Sequence, residues 1–141
     1  MRHGFLKEEH GQSLVEFAIS LTLILLLLAG AVDFGMAFFS FIALRDAAQE
    51  GALYGSMSPT DTAGIIARVR SASNRPVDLS DVSSVQVTTQ IIGQACEGGG
   101  IQVTVVYAYP LSMPFLPAIL GRNAIPIRAS VTDTILQPTC P

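Results

Sequence analysis

The feature that most constrains this chain is a long apolar stretch near its amino terminus. Residues 11–55 read GQSLVEFAISLTLILLLLAGAVDFGMAFFSFIALRDAAQEGALYG, apolar from Phe17 to Val32 and again from Phe34 to Leu44, with no proline. Glu16 and Asp33 are the only charges in it before Arg45. With nothing to break it, a single long helix is the expected conformer. At about 1.5 Å per residue, the run from Phe17 to Val32 covers roughly 24 Å and its continuation to Leu44 roughly 42 Å, against a hydrocarbon core of about 30 Å. Such a helix spans a bilayer and projects beyond it.

The 141 residues leave room for one small domain besides the helix, and the hydrophobic fraction of 50% comes largely from the apolar run. A net charge of −3 and arginines scattered along the chain give no footing for nucleic acid. His3, His10 and the lone lysine, Lys7, all precede Gln12. A chain trimmed at that point lacks the residues for a Ser–His or Cys–His nucleophile, a lysine Schiff base or a histidine metal site. The remaining acids are dispersed, so neither an enzyme, a cofactor nor a metal is expected. Cys96 and Cys140 stand far downstream with no histidine nearby, which fits one disulfide in an oxidising compartment better than a metal site.

Residues 1–11, MRHGFLKEEHG, form a short charged segment ahead of the run. The run is longer than the about 7–15 residues of a secretory signal core. The DFGMAFF that follows offers no clean small-x-small cleavage site, although Ala29-Gly30-Ala31 is a competing signal. Arg2 and Lys7 before the run, against Arg45 alone soon after it, place the amino terminus in the cytoplasm.

Gly11-Gln12-Ser13-Leu14-Val15-Glu16-Phe17 resembles the processing site of type IV prepilins, in which a membrane peptidase cuts after a glycine and a glutamate becomes the fifth residue of the mature chain. Together with the apolar run, its interior acid and the Ala/Gly continuation, the pattern is similar to the TadE-like family, pseudopilins of tight-adherence pilus systems. The likeness covers the N-terminal third, and the rest only by layout. It implies cleavage between Gly11 and Gln12 by a prepilin peptidase. It also implies that Glu16, beside Phe17, pairs with the new amine at Gln12, often between subunits. The implied partners are other pilin or pseudopilin subunits, the pilus assembly machinery and the lipid bilayer. The implied location is the cytoplasmic membrane, with the C-terminal domain outside. The alternative is a membrane-anchored extracytoplasmic interaction domain that is neither cut nor polymerised.

Three features of the helix have more than one reading. Ser13 to Glu16 is also an S-x-x-E capping box, which competes for the same carboxylate. Asp33 is either a functional intramembrane acid or a residue of the outer interface; the interface is favoured because roughly 16 residues from Phe17 cover most of the bilayer core. Ala43, Ala47, Gly51 and Gly55 recur every four residues, a helix-packing row that serves the chain's own domain or another subunit.

Downstream, Ser58 as N-cap, Pro59 at the first turn and Asp61 open a second helix over residues 59–72. Its apolar face is Thr62, Ile65, Ile66 and Val69, with Arg68, Arg70 and Arg75 toward the end. Three stretches then alternate apolar and polar: Val85 to Ile91, Ile101 to Tyr109, and Ile125 to Val131. The expected class is α+β: a long N-terminal transmembrane helix, a short second helix and a three-stranded antiparallel sheet. The expected organisation is a leader over 1–11, the helix over 12–57 and the domain over 58–141. Gly98-Gly99-Gly100 lacks the surroundings of a phosphate cradle. Residues 111–121, with Met113, Phe115, Leu116, Ile119 and Leu120 and with Pro110, Pro114 and Pro117 before and within them, either cover the sheet or present an apolar surface to a neighbour. With strands running up, down and up, Cys96 and Cys140 lie beyond the same sheet edge and can pair; free thiols or an intermolecular bridge are the alternatives.

Overall fold

The computed structural model of the protein describes residues 9–112 and 116–140; most of the expected leader, and Met113 and Phe115, lie outside the described residues. The elements are α1 (Glu9–Met57), α2 (Thr62–Ser71), β1 (Val85–Ile92), β2 (Gly100–Pro110), the short α3 (Leu116–Leu120) and β3 (Ala124–Thr134). This is the α+β class that the sequence implies, with one antiparallel sheet in the order β1-β2-β3.

Period-two patterning sets the register. Val105 pairs with Val87 on one side and Ala129 on the other, and Tyr107 lies between Val85 and Ile127. Alternation puts these residues on one face. The opposite face is polar: the Thr104 and Ser130 hydroxyls are 2.9 Å apart, and Gln102 Nε2 donates to Thr132 Oγ1 at 3.2 Å.

The C-terminal half of α1 covers the apolar face, antiparallel to β2. A Cβ placed at Gly55 would stand 2.9 Å from Ile101, and one at Gly51 would stand 3.4 Å from Val103. At the other end of the strand, the Tyr109 hydroxyl reaches the Asp33 carbonyl oxygen at 3.4 Å. Ile65 and Val69 of α2, with Val77 and Leu79 from the following connection, complete a core that includes Leu44, Ala48 and Ala52 of α1. Each large aliphatic side chain buried in this way contributes about 1.5–3 kcal/mol.

Two helix starts differ from expectation. The N-cap of α2 is Asp61, not Ser58: its Oδ1 accepts the Gly64 N–H at 2.9 Å. The Ser58 N–H is engaged in closing α1, donating to the Tyr54 carbonyl at 3.1 Å, while the Asp61 N–H turns back to the Ser58 carbonyl. Residues 58–61 are therefore a turn between helices, with Pro59 stopping α1 rather than starting α2. The second difference is at Ser13. Because residues 9–12 are already helical, Ser13 and Glu16 lie inside α1 and the capping box does not form. Glu16 Oε1 instead accepts from Gln12 Nε2 at 3.1 Å, one helical turn away.

The C-terminal tail closes the far end of the sheet. The Leu136 and Gln137 N–H groups both donate to the Ser56 carbonyl, at 2.8 and 3.2 Å, satisfying the end of α1. The Glu97 N–H donates to the Pro138 carbonyl at 2.8 Å. Cys96 and Cys140 are joined, with Cα atoms 5.1 Å apart across 44 residues of sequence. Closing a loop of this length removes unfolded-state entropy worth roughly 4 kcal/mol.

Candidate functional site

The candidate site is α1 itself, and its two halves meet different surroundings. From Gly11 to Ala29 every residue is exposed, including Leu27 at 73%. From Ser40 onward, one side is buried against α2 and the sheet. The bare portion, residues 11–32, is roughly 33 Å long at about 1.5 Å per residue, close to the thickness of a bilayer's hydrocarbon core. Thr22, within it, turns its hydroxyl onto the Ala18 carbonyl at 2.8 Å. That internal bond satisfies a polar group that lipid cannot. By length and composition, α1 can cross a membrane once.

The residues singled out in the sequence separate along this axis. Gly11, Gln12, Glu16 and Phe17 sit on exposed turns at the bare end. Asp33 is half-buried where the cover begins, its carbonyl held by Tyr109. Ala47, Gly51 and Gly55 are buried in the chain's own core, while Ala43 is half-buried at its margin. The glycines serve close approach: a Cβ at Gly51 would stand 2.5 Å from Val69 Cγ2.

Sequence reasoning missed the clasp that fixes α2 onto α1. The Tyr54 hydroxyl donates to Asp61 Oδ2 at 2.7 Å, and the Arg68 guanidinium lies 5.6 Å from the Tyr54 ring centroid. The Gly64 amide, and then the Tyr54 hydroxyl, hold the Asp61 carboxyl below its ordinary range. The available signal was Asp61 three residues before Gly64, which is itself N-cap spacing. Before β1, Asp81 accepts from the hydroxyls of Ser83 and Ser84 and from the Ser83 N–H. These bonds, the Ser83 hydroxyl foremost, hold its carboxyl down at about 2.

An open groove of about 510 Å³ runs between α1 and residues 72–76, with Asp46, Glu50 and Arg75 as its ionisable lining. Among the described residues, no three His, Cys, Asp or Glu side chains gather where a metal could bind.

Residues 11–53 match the family described as TadE-like protein. The match takes in the bare half of α1, Asp33 and the covered half as far as Leu53, and stops before the sheet domain. It agrees with the resemblance read from the GQSLVEF motif and the apolar run. No curated protein and no solved structure matches the chain.

Proposed function

We propose that this chain is a pseudopilin or minor pilin of a tight-adherence pilus system. It is cut between Gly11 and Gln12 by a prepilin peptidase and held in the cytoplasmic membrane by residues 12–32, with its α+β domain outside. The observation that carries this reading is the division of α1. One membrane thickness of helix is bare of its own domain and begins at a Gly-x-x-x-x-Glu-Phe processing motif. A bare apolar helix on a folded head serves first as a lipid anchor and then as a packing element among like helices.

Cleavage would leave a cationic amine on Gln12, whose side chain already lies one turn from Glu16 and bonds to it. A carboxylate inside an apolar assembly is costly, about 2.5–3.5 kcal/mol at a span's centre, and a nearby ammonium offsets that cost. The match at residues 11–53 supports the pilus setting.

Intact-mass analysis of the membrane-purified protein, from a strain with an active prepilin peptidase, tests the reading. Loss of residues 1–11 is expected, and a chain that keeps them would leave only the uncut anchor. Glu16→Ala should still insert and be cut but should lower pilus number. Normal pilus numbers would remove Glu16 from assembly.

A further inference from the structure

The two ends of the sheet differ in chemistry. At the end beside Ser56, the turn after β1 and the C-terminal tail carry Gln94, Glu97 and Gln137 around the Cys96–Cys140 bridge. At the other end, β2 passes to β3 through LSMPFLPAILGRN, residues 111–123, which contain no acid and a single base, Arg122. The Tyr109–Asp33 contact puts this second end where α1 loses its cover. The Leu111 N–H donates to the Asn123 carbonyl at 3.0 Å and closes the base of the connection. Beyond that base, α3 is followed by Gly121, in the left-handed region at φ +65, with the Gly121 N–H on the Pro117 carbonyl. Leu120 is 46% exposed, Arg122 is exposed, and Phe34 on α1, next to Asp33, is 75% exposed.

We propose that α3 is a second membrane contact, resting with Leu120 in the interfacial layer of the leaflet from which α1 emerges, with Arg122 at the lipid phosphates. The inference rests on the reading of α1 as a membrane span. If residues 11–32 fill the hydrocarbon, Asp33 lies at the lipid–water boundary, and Tyr109 holds the β2–β3 end of the sheet at that level. An exposed leucine followed by arginine, without a nearby acid in the connection, suits that layer: the apolar side chain enters the acyl boundary and the guanidinium meets anionic headgroups. The exposed Phe34, next to Asp33 on α1, stands at that same boundary, which favours lipid over a second protein. A head held at two points is also fixed in tilt, which a single helix does not achieve.

The chain contains no tryptophan, so one introduced residue is a clean reporter. Full-length Leu120→Trp, Leu136→Trp and Leu25→Trp are each reconstituted in phosphatidylcholine–phosphatidylglycerol vesicles, with bromine placed high on the acyl chains. Leu136 is 58% exposed and sits at the far end of the sheet, so it controls for the affinity of tryptophan itself. The expected result is a blue-shifted Leu120→Trp emission, quenched about twofold or more relative to Leu136→Trp, as for an interfacial aromatic. Water-like emission from Leu120→Trp, or blue-shifted emission that brominated lipid leaves unquenched, overturns the proposal; the latter marks a protein neighbour instead. Leu25→Trp separates the two readings. If Leu25→Trp is quenched and Leu120→Trp is not, the contact fails and the span stands. If Leu25→Trp is unquenched, the span itself fails.

Discussion

Residues 11–32 and residues 40–56 belong to one continuous helix, yet they do different work. Leu25 is 55% exposed, whereas Leu44 is fully buried. What separates the two stretches is the size of the residues on the inner face. Ala47, Ala48, Gly51, Ala52 and Gly55 let α2 and β2 approach the helix axis, while Leu23 to Leu28 form a ring of bulk with nothing against it. Small residues make a helix a scaffold for its own domain; large ones on all sides suit it to lipid or to other helices.

The largest expected contrast comes from truncating a leucine on each side of the divide. Leu44→Ala should cost about 2–5 kcal/mol of domain stability, the usual loss for a fully buried leucine. Leu25→Ala should stay within about 0.5 kcal/mol, as for sites outside a core. Denaturant unfolding of the full chain in detergent, followed by the far-ultraviolet signal of the sheet, measures both. Equal losses would break the two-part description of α1.

A smaller contrast sharpens the role of the glycines. Gly51→Ala forces a methyl against Val69 and should destabilise the domain by about 1–3 kcal/mol, the usual range for overpacking. At Gly35 an added Cβ meets nothing within 4 Å. Gly35→Ala should therefore leave stability unchanged or raise it by up to about 1 kcal/mol through helix propensity. The same unfolding measurement, run on both variants, should give opposite signs or at least one null.

The smallest effect concerns acid and lies in the connection before β1. The Asp81 carboxyl is held down to about 2 from an ordinary 3.8 by the Ser83 and Ser84 hydroxyls and the Ser83 amide. A depressed folded value means that the stabilisation is complete above the unfolded value and is lost as pH falls through the folded one. The melting temperature of the native chain should exceed that of Asp81→Asn by a constant margin at neutral pH, and the margin should close between about 3.8 and about 2. A margin that persisted at the acid end would assign the role of Asp81 to shape, not charge.

Much of the architecture was legible before any tertiary contact was known. The apolar run, the period-two alternation of Val85 to Ile91 and Ile101 to Tyr109, and a helix around Ile65 and Val69 are local patterns, and each gave the right kind of element. The start of α2 was not legible, because Ser58 and Asp61 are both good caps. The choice turned on which amide α1 needed to close itself. The Tyr54–Asp61–Arg68 clasp was equally hidden, since it depends on how α2 folds back across a turn. Residues 111–123 showed apolar character but no period, and the meeting of Tyr109 with the Asp33 carbonyl emerged only from the direction of β2.

The sequence alone determined that this chain has a helix long enough to cross a bilayer, a small sheet domain after it and a processing-like motif before it. These follow from residue type and spacing, which act locally. Only the tertiary structure decided where α1 stops being bare and becomes part of a core. Hydropathy reads Val32, Phe34 and Leu44 alike, because lipid and a protein interior are both apolar. The boundary near Asp33 exists because β2 is long enough to bring Tyr109 that far along the helix and no farther, a fact about the length and direction of a strand about 75 residues away in sequence.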